Sequence, residues 1–242
     1  MATTTIQLSR SDILANLSVT PHCINLEEQP SAPEERQKLK TALMLDEQAS
    51  AILSTPLNIH LAHGLAYTVG SALGSIPPSV DACLAAFTVP NKVKLTAGAR
   101  AWSKHAHRSL VETKQPSTNE ADEASPSEND TDLANSKRKK EKDPAPTGWW
   151  GTPSGPVAGI NEKAVALFWK ITNDATWRNL HWLPHSVLVY EIRIHEGYGM
   201  RWSQDQSASG EDPGRQLPPW VFRGFVEPMM ENGHELGWRH AP

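Results

Sequence analysis

The chain has 242 residues, with 23 Lys and Arg against 27 Asp and Glu, for a net charge of −4. So small an imbalance does not imply a general polyanion binder. The two cysteines, Cys23 and Cys83, lack CxxC spacing and exclude a disulfide frame; they read as buried thiols of a reducing compartment. Mean hydropathy is −0.47, and 19 prolines point to long irregular segments in what is either one large domain or two small ones.

The N-terminal stretch MATTTIQLSRSD has no basic region followed by an apolar run, so no secretory signal is expected. Without secretion, the glycosylation sequons at Asn16 and Asn129 carry no meaning. Residues 1–33 are expected to form a loose N-terminal segment.

Residues 34–112 read as helical. EERQKLKTALMLDEQASAILS places Leu39, Leu43 and Leu53 near one face, with acids in its first turn. PLNIHLAHGLAYTVGSALG, residues 56–74, is the most lipid-like stretch. Its histidines, asparagine and glycines suit a buried helix better than a membrane span. Its stripe is Leu57, Leu61, Leu65, Val69 and Leu73; Pro56 suits the first turn and Pro77-Pro78 stops continuation. SVDACLAAF offers Ser79 as N-cap and Val80, Cys83, Leu84 and Phe87 as its apolar side. NKVKLTAGARAWSKHAHRSLVE repeats at Leu95, Ala99, Trp102, Ala106 and Leu110.

That last helix also carries charge. No acid occurs between Asp81 and Glu112, and Arg100, Lys104, His107 and Arg108 group opposite the apolar stripe. A solvated face is the plain reading. The alternative is an anion-binding surface for an acidic protein, a nucleic acid, a lipid headgroup or the chain's own acidic segment.

Residues 113–147 contain almost no large apolar side chains and cannot offset the entropy of ordering, so disorder is expected. Their charge is blocked, acidic over 120–132 and then basic. The run Lys137, Arg138, Lys139, Lys140 resembles a short nuclear import signal, which places the chain in cytoplasm, nucleus or both.

Residues 148–242 hold eight of nine tryptophans. NEKAVALFWKITNDATW reads as a helix with Ile160, Ala164, Leu167, Phe168, Ile171 and Ala175 inward. The strand-like runs are SVLVYEIRI, YGMRWSQ and WVFRGFVEP. The first two make a hairpin whose register follows from alternation. A three-residue loop His195-Glu196-Gly197 sets Ile194 against Tyr198, Ile192 against Met200 and Tyr190 against Trp202. Glu191 then meets Arg201 on the opposite face, and Arg193 lies beside Gly199. The plain reading is a cross-strand ion pair. The functional one needs WVFRGFVEP to pair alongside, bringing Arg223 and Glu227 near Glu191. Glu191, Arg193, Arg201 and Arg223 would then line an aromatic-walled pocket for a carboxylate or phosphate.

Other histidines are weaker candidates. His60, His63 and Tyr67 share a helical face at i, i+3, i+7, but no acid or cysteine completes a metal set. His105 and His107 diverge on a helix. HWLPH, with His181 and His185, and GHELGWRH, with His234, Glu235 and His240, read as turns. No dinucleotide, P-loop, nucleophile-elbow or zinc spacing is present, so no cofactor, metal or catalytic residue is assigned, and no family resemblance carries a function.

The expectation is an α+β protein. The helical half, one C-terminal-half helix and a small antiparallel sheet of a hairpin plus a third strand form a single domain, with 113–147 as an insertion. The favoured function is a non-catalytic binding or adaptor protein that uses the basic helix and the charged insertion. The alternative is an enzyme or small-molecule binder with its anionic ligand over the 186–204 hairpin.

Overall fold

The structure is a computed structural model that describes residues 8–45, 52–112, 148–207 and 217–229. The expected disordered insertion, the Lys137–Lys140 run and the GHELGWRH histidines lie outside those residues. The fold is α+β, as expected. Its helices are α1 Arg10–Leu17, α2 Ala32–Leu45, α3 Pro56–Ala62, α4 Val80–Phe87, α5 Ala97–Glu112 and α6 Val157–Asp174. Its strands are β1 Trp177–Leu183, β2 Val187–Arg193, β3 Gly199–Asp205 and β4 Val221–Val226.

The strands form one antiparallel meander in the order β1-β2-β3-β4. The β2–β3 register sets Tyr190 opposite Trp202, Ile192 opposite Met200, and Glu191 opposite Arg201, as alternation requires. The loop is closed by Gly197 N–H donating to the Ile194 carbonyl, and Gly197 adopts φ 98°. A β-carbon there would stand 2.8 Å from the Pro228 backbone, so glycine is needed twice over. β4 pairs with β3 through a bulge at Arg201/Trp202. The sheet has one strand more than expected: WRNLHWL pairs along β2, so His181 lies on a strand and not in a turn.

The inner face of the sheet presents Leu180, Leu188, Tyr190, Ile192, Met200, Trp202, Phe222 and Phe225. These pack with Cys83, Phe87, Ala99, Trp102, Phe168 and Ile171 of α4, α5 and α6. Phe87 is fully buried at the centre, with ring centroids 5.2 Å from Phe168 and 4.8 Å from Phe222. Burying such a ring contributes about 1.5–3 kcal/mol by area alone. Gly98 of α5 faces this ring so closely that any β-carbon would overlap it. The Trp202 indole N–H donates to the Cys83 carbonyl at 3.1 Å, which ties α4 to the sheet. Both cysteines are free and buried, and burial pushes the Cys83 thiol up to about 12.

From Leu8 onward the N-terminal segment is not loose. Ser9 and Asp12 form a capping box that starts α1. Ile13 and Leu17 then pack on Leu39, Leu43, Leu61 and Ala62 as a second apolar cluster. The helix expected over 56–74 stops at Ala62, because Gly64 turns the chain at φ 66°. Residues beyond it run along β1 instead: Ala66 and Ala72 N–H donate to the Arg178 and Leu180 carbonyls at 2.7 and 2.8 Å. This covers one edge of the sheet. Among the described residues, no helix is long and apolar enough to cross a membrane.

Candidate active site

Because strand residues alternate, the face turned away from the helices collects the other set of side chains: Asn179 and His181 from β1, Val189, Glu191 and Arg193 from β2, and Arg201 and Ser203 from β3. Glu191 organises it. Its Oε1 accepts from Arg193 Nε at 2.6 Å, and its Oε2 accepts from Arg201 Nε at 2.7 Å and also from Arg201 Nη2. Burial pushes the Glu191 carboxyl up, but the two guanidiniums outweigh this and hold it below the ordinary glutamate value. Both oxygens are occupied and the group stays ionised. Glu191 is therefore an orienting anion and a poor proton acceptor.

The two arginines differ. Arg193 is buried, and its Nη1 also donates to the Gly197 and Glu227 carbonyls at 2.6 and 2.7 Å. It locks the β2–β3 loop to the end of β4. Arg201 keeps 40 % of its side chain exposed and lines an open cleft of about 860 Å³. Val189, Ser203, Asp205, His185 and Arg223 line the same cleft. Arg201 is thus held in place by Glu191 while offering positive charge to the cleft.

Two imidazoles accompany it. His181 pairs directly across from Val189, on the same face. It is half-buried, and burial lowers its pKa below the ordinary histidine value; Glu191 opposes this, while Arg201 and Arg193 add to it. At neutral pH the ring is therefore a neutral proton acceptor. His185 sits in the three-residue β1–β2 loop with φ 63°, followed by Ser186 at φ 56°. Two successive residues with positive φ are what a tight hairpin turn demands, and without glycine they cost about 1–3 kcal/mol each.

The expected site residues are therefore only partly brought together. Glu191, Arg193 and Arg201 form one hydrogen-bonded set, and Arg223 lies across the cleft on β4. The Glu227 carboxylate does not approach Glu191; it turns to His105, with 3.0 Å between its Oε1 and Nδ1. His60 and His63 do not share a helical face with Tyr67, since α3 ends between them. His60 is buried, its Nε2 2.9 Å from the Ala66 carbonyl. No cluster of three or more metal-ligating side chains occurs among the described residues. Arg100 and Lys104 are exposed on α5, and the side chains of His107 and Arg108 lie outside the described residues. Sequence reading missed His181 and His185. No signal for His181 as a strand residue stands in the sequence, because β1 lacks a clean apolar alternation.

No curated protein and no solved structure matches the chain. One family model does: the CdiA C-terminal tRNase toxin domain, over residues 118–210. The match covers less than half of the chain. It includes α6, β1, β2 and β3, and with them His181, His185, Glu191, Arg193 and Arg201, but it ends before β4. Similarity to a tRNA-cleaving nuclease overturns the expectation of a non-catalytic adaptor, and favours the alternative of a site over the hairpin's polar face.

Proposed function

We propose that the chain is a ribonuclease that cleaves tRNA in the cleft over the outer face of the sheet. One observation carries the reading: the segment similar to a tRNase domain contains an arginine held by a buried carboxylate at an open cleft that His185 also lines, with the neutral imidazole of His181 on the same face of the sheet. An RNA phosphodiester needs just such groups. His181 takes the proton of a ribose 2′-hydroxyl, and the 2′-oxygen attacks the adjacent phosphorus. The bond from phosphorus to the 5′-oxygen breaks, and His185 gives that oxygen a proton. The products are a 2′,3′-cyclic phosphate and a 5′-hydroxyl. Arg201 and Arg223 stabilise the negative charge that grows on the phosphorane oxygens, and Glu191 and Arg193 position Arg201. The site of action is then any compartment that holds tRNA.

Incubating the purified chain with a tRNA pool tests this. Discrete fragments ending in 2′,3′-cyclic phosphate are expected, and a DNA oligonucleotide of matched sequence stays intact. Arg201→Met should slow cleavage by about 10²–10³-fold, as removal of one charge-stabilising donor does. Intact tRNA with the wild-type chain, or wild-type cleavage by Arg201→Met, contradicts the reading.

A further inference from the structure

We propose that the groove between α5 and β4 is a second subsite, which holds the sugar-phosphate backbone of the RNA being cleaved over the outer sheet face. The inference rests on the nuclease reading and deepens it. The groove has a volume of about 530 Å³, and Arg100, Lys104, His105 and Arg223 bring its polar chemistry. No acid lines it. Arg100, Lys104 and Arg223 are exposed and form no ion pair with any described residue. Arg100 and Lys104 stand one turn apart on one face of α5, where side chains four residues apart are neighbours. Three cations along a groove, none paired with a described residue, suit a run of phosphates, which bind through charge and release of counterions.

Two details join the groove to the first cleft. Arg223 and Gly224 line both, so the clefts meet across β4. Gly224 has φ 132° and is itself buried, and no described atom lies within 4 Å of where a β-carbon would be, so no described side chain bars the crossing. His105 supplies a rigid wall. Its Nδ1 lies 3.0 Å from Glu227 Oε1, and its ring centroid is 5.7 Å from that of Trp150 and 5.9 Å from that of Phe225. An acidic protein would meet the same charges, but only an extended strand has reason to run on into the cleft beside Arg201.

The test is tRNA binding to the full chain across a salt series, with cleavage read in parallel. The double variant Arg100→Gln, Lys104→Gln should flatten the slope of log affinity against log salt by about 1.4–1.8, two phosphate contacts' worth. The control Lys92→Gln, Lys163→Gln removes the same charge from exposed lysines outside the groove, and should leave the slope unchanged. An unchanged slope in the first variant overturns the proposal; the acidic segment 120–132 filling the groove would give that result. Equal flattening in both variants overturns it as well, because net charge would then be the cause. The two readings fail separately. Cleavage with an unaltered slope removes the subsite alone, and a flattened slope without cleavage removes the nuclease and leaves an RNA-binding groove.

Discussion

The two faces of the β2–β3 hairpin are built from the same two strands, yet they have opposite characters. Inward, Tyr190, Ile192, Met200 and Trp202 are all buried in one aromatic core. Outward, one residue along each strand, Glu191, Arg193 and Arg201 form a hydrogen-bonded charge set. The inward face needs its partners to fill space. The outward face has partners for Glu191 and Arg193 and leaves Arg201 half exposed. The outer network is thus left open at the cleft, where Arg201 can meet an anion.

The comparison can be broken from the inside first. Phe87→Ala removes the ring at the centre of the aromatic core and should destabilise by about 3–5 kcal/mol. Denaturant unfolding measures it; a cost below about 1 kcal/mol would mean that the inner face is not the main source of stability. On the outer face, Glu191→Gln leaves the buried Arg193 facing a neutral partner. The expected loss is about 3 kcal/mol, with cleavage also lowered because Arg201 loses its tether. A variant as stable as the wild type would show that the set holds nothing in place.

A smaller effect sharpens the comparison by pH. Burial lowers the pKa of His60, His63 and His181 below the ordinary value of 6.5. The unfolded chain takes up protons there that the fold refuses, so stability is full above about pH 6.5 and falls as pH drops below it. Glu191, held below its ordinary 4.5, adds a second loss as pH falls below that value. Thermal unfolding should show Tm falling from pH 7 to pH 5. A Tm that rises over that range contradicts the assignment of neutral buried imidazoles.

How far the sequence could be read follows from how strictly each segment alternates. The hairpin register was legible because every inward pair is apolar or aromatic and the loop carries a glycine. β1 was not. Its inward set mixes Arg178 with Leu180 and Trp182, its outward set includes Asn179 and His181, and Trp182 is 45 % exposed at the sheet edge. With no clean period, Pro184 made the stretch look like a turn. The leucine stripe over 56–74 misled in the opposite way. Leu65 is buried outside any helix and Val69 is 88 % exposed, so the spacing was coincidental. Gly64 was the signal that should have ended the helix. The capping pattern Ser9-x-x-Asp12 likewise announces α1 inside a segment whose composition alone suggests looseness. The charged residues of the site were legible as a set. The cleft was not, because the β1–β2 loop and the residues leading into β4 shape it, and only tertiary structure places them.

The central claim is that the outer face of the sheet is catalytic, with His181 as its proton acceptor. Single-turnover cleavage of tRNA by His181→Ala, beside thermal unfolding of the same sample, tests it most directly. The account predicts a rate about 10²–10⁴-fold below wild type with a cooperative transition retained. Wild-type cleavage by a folded His181→Ala chain would contradict it.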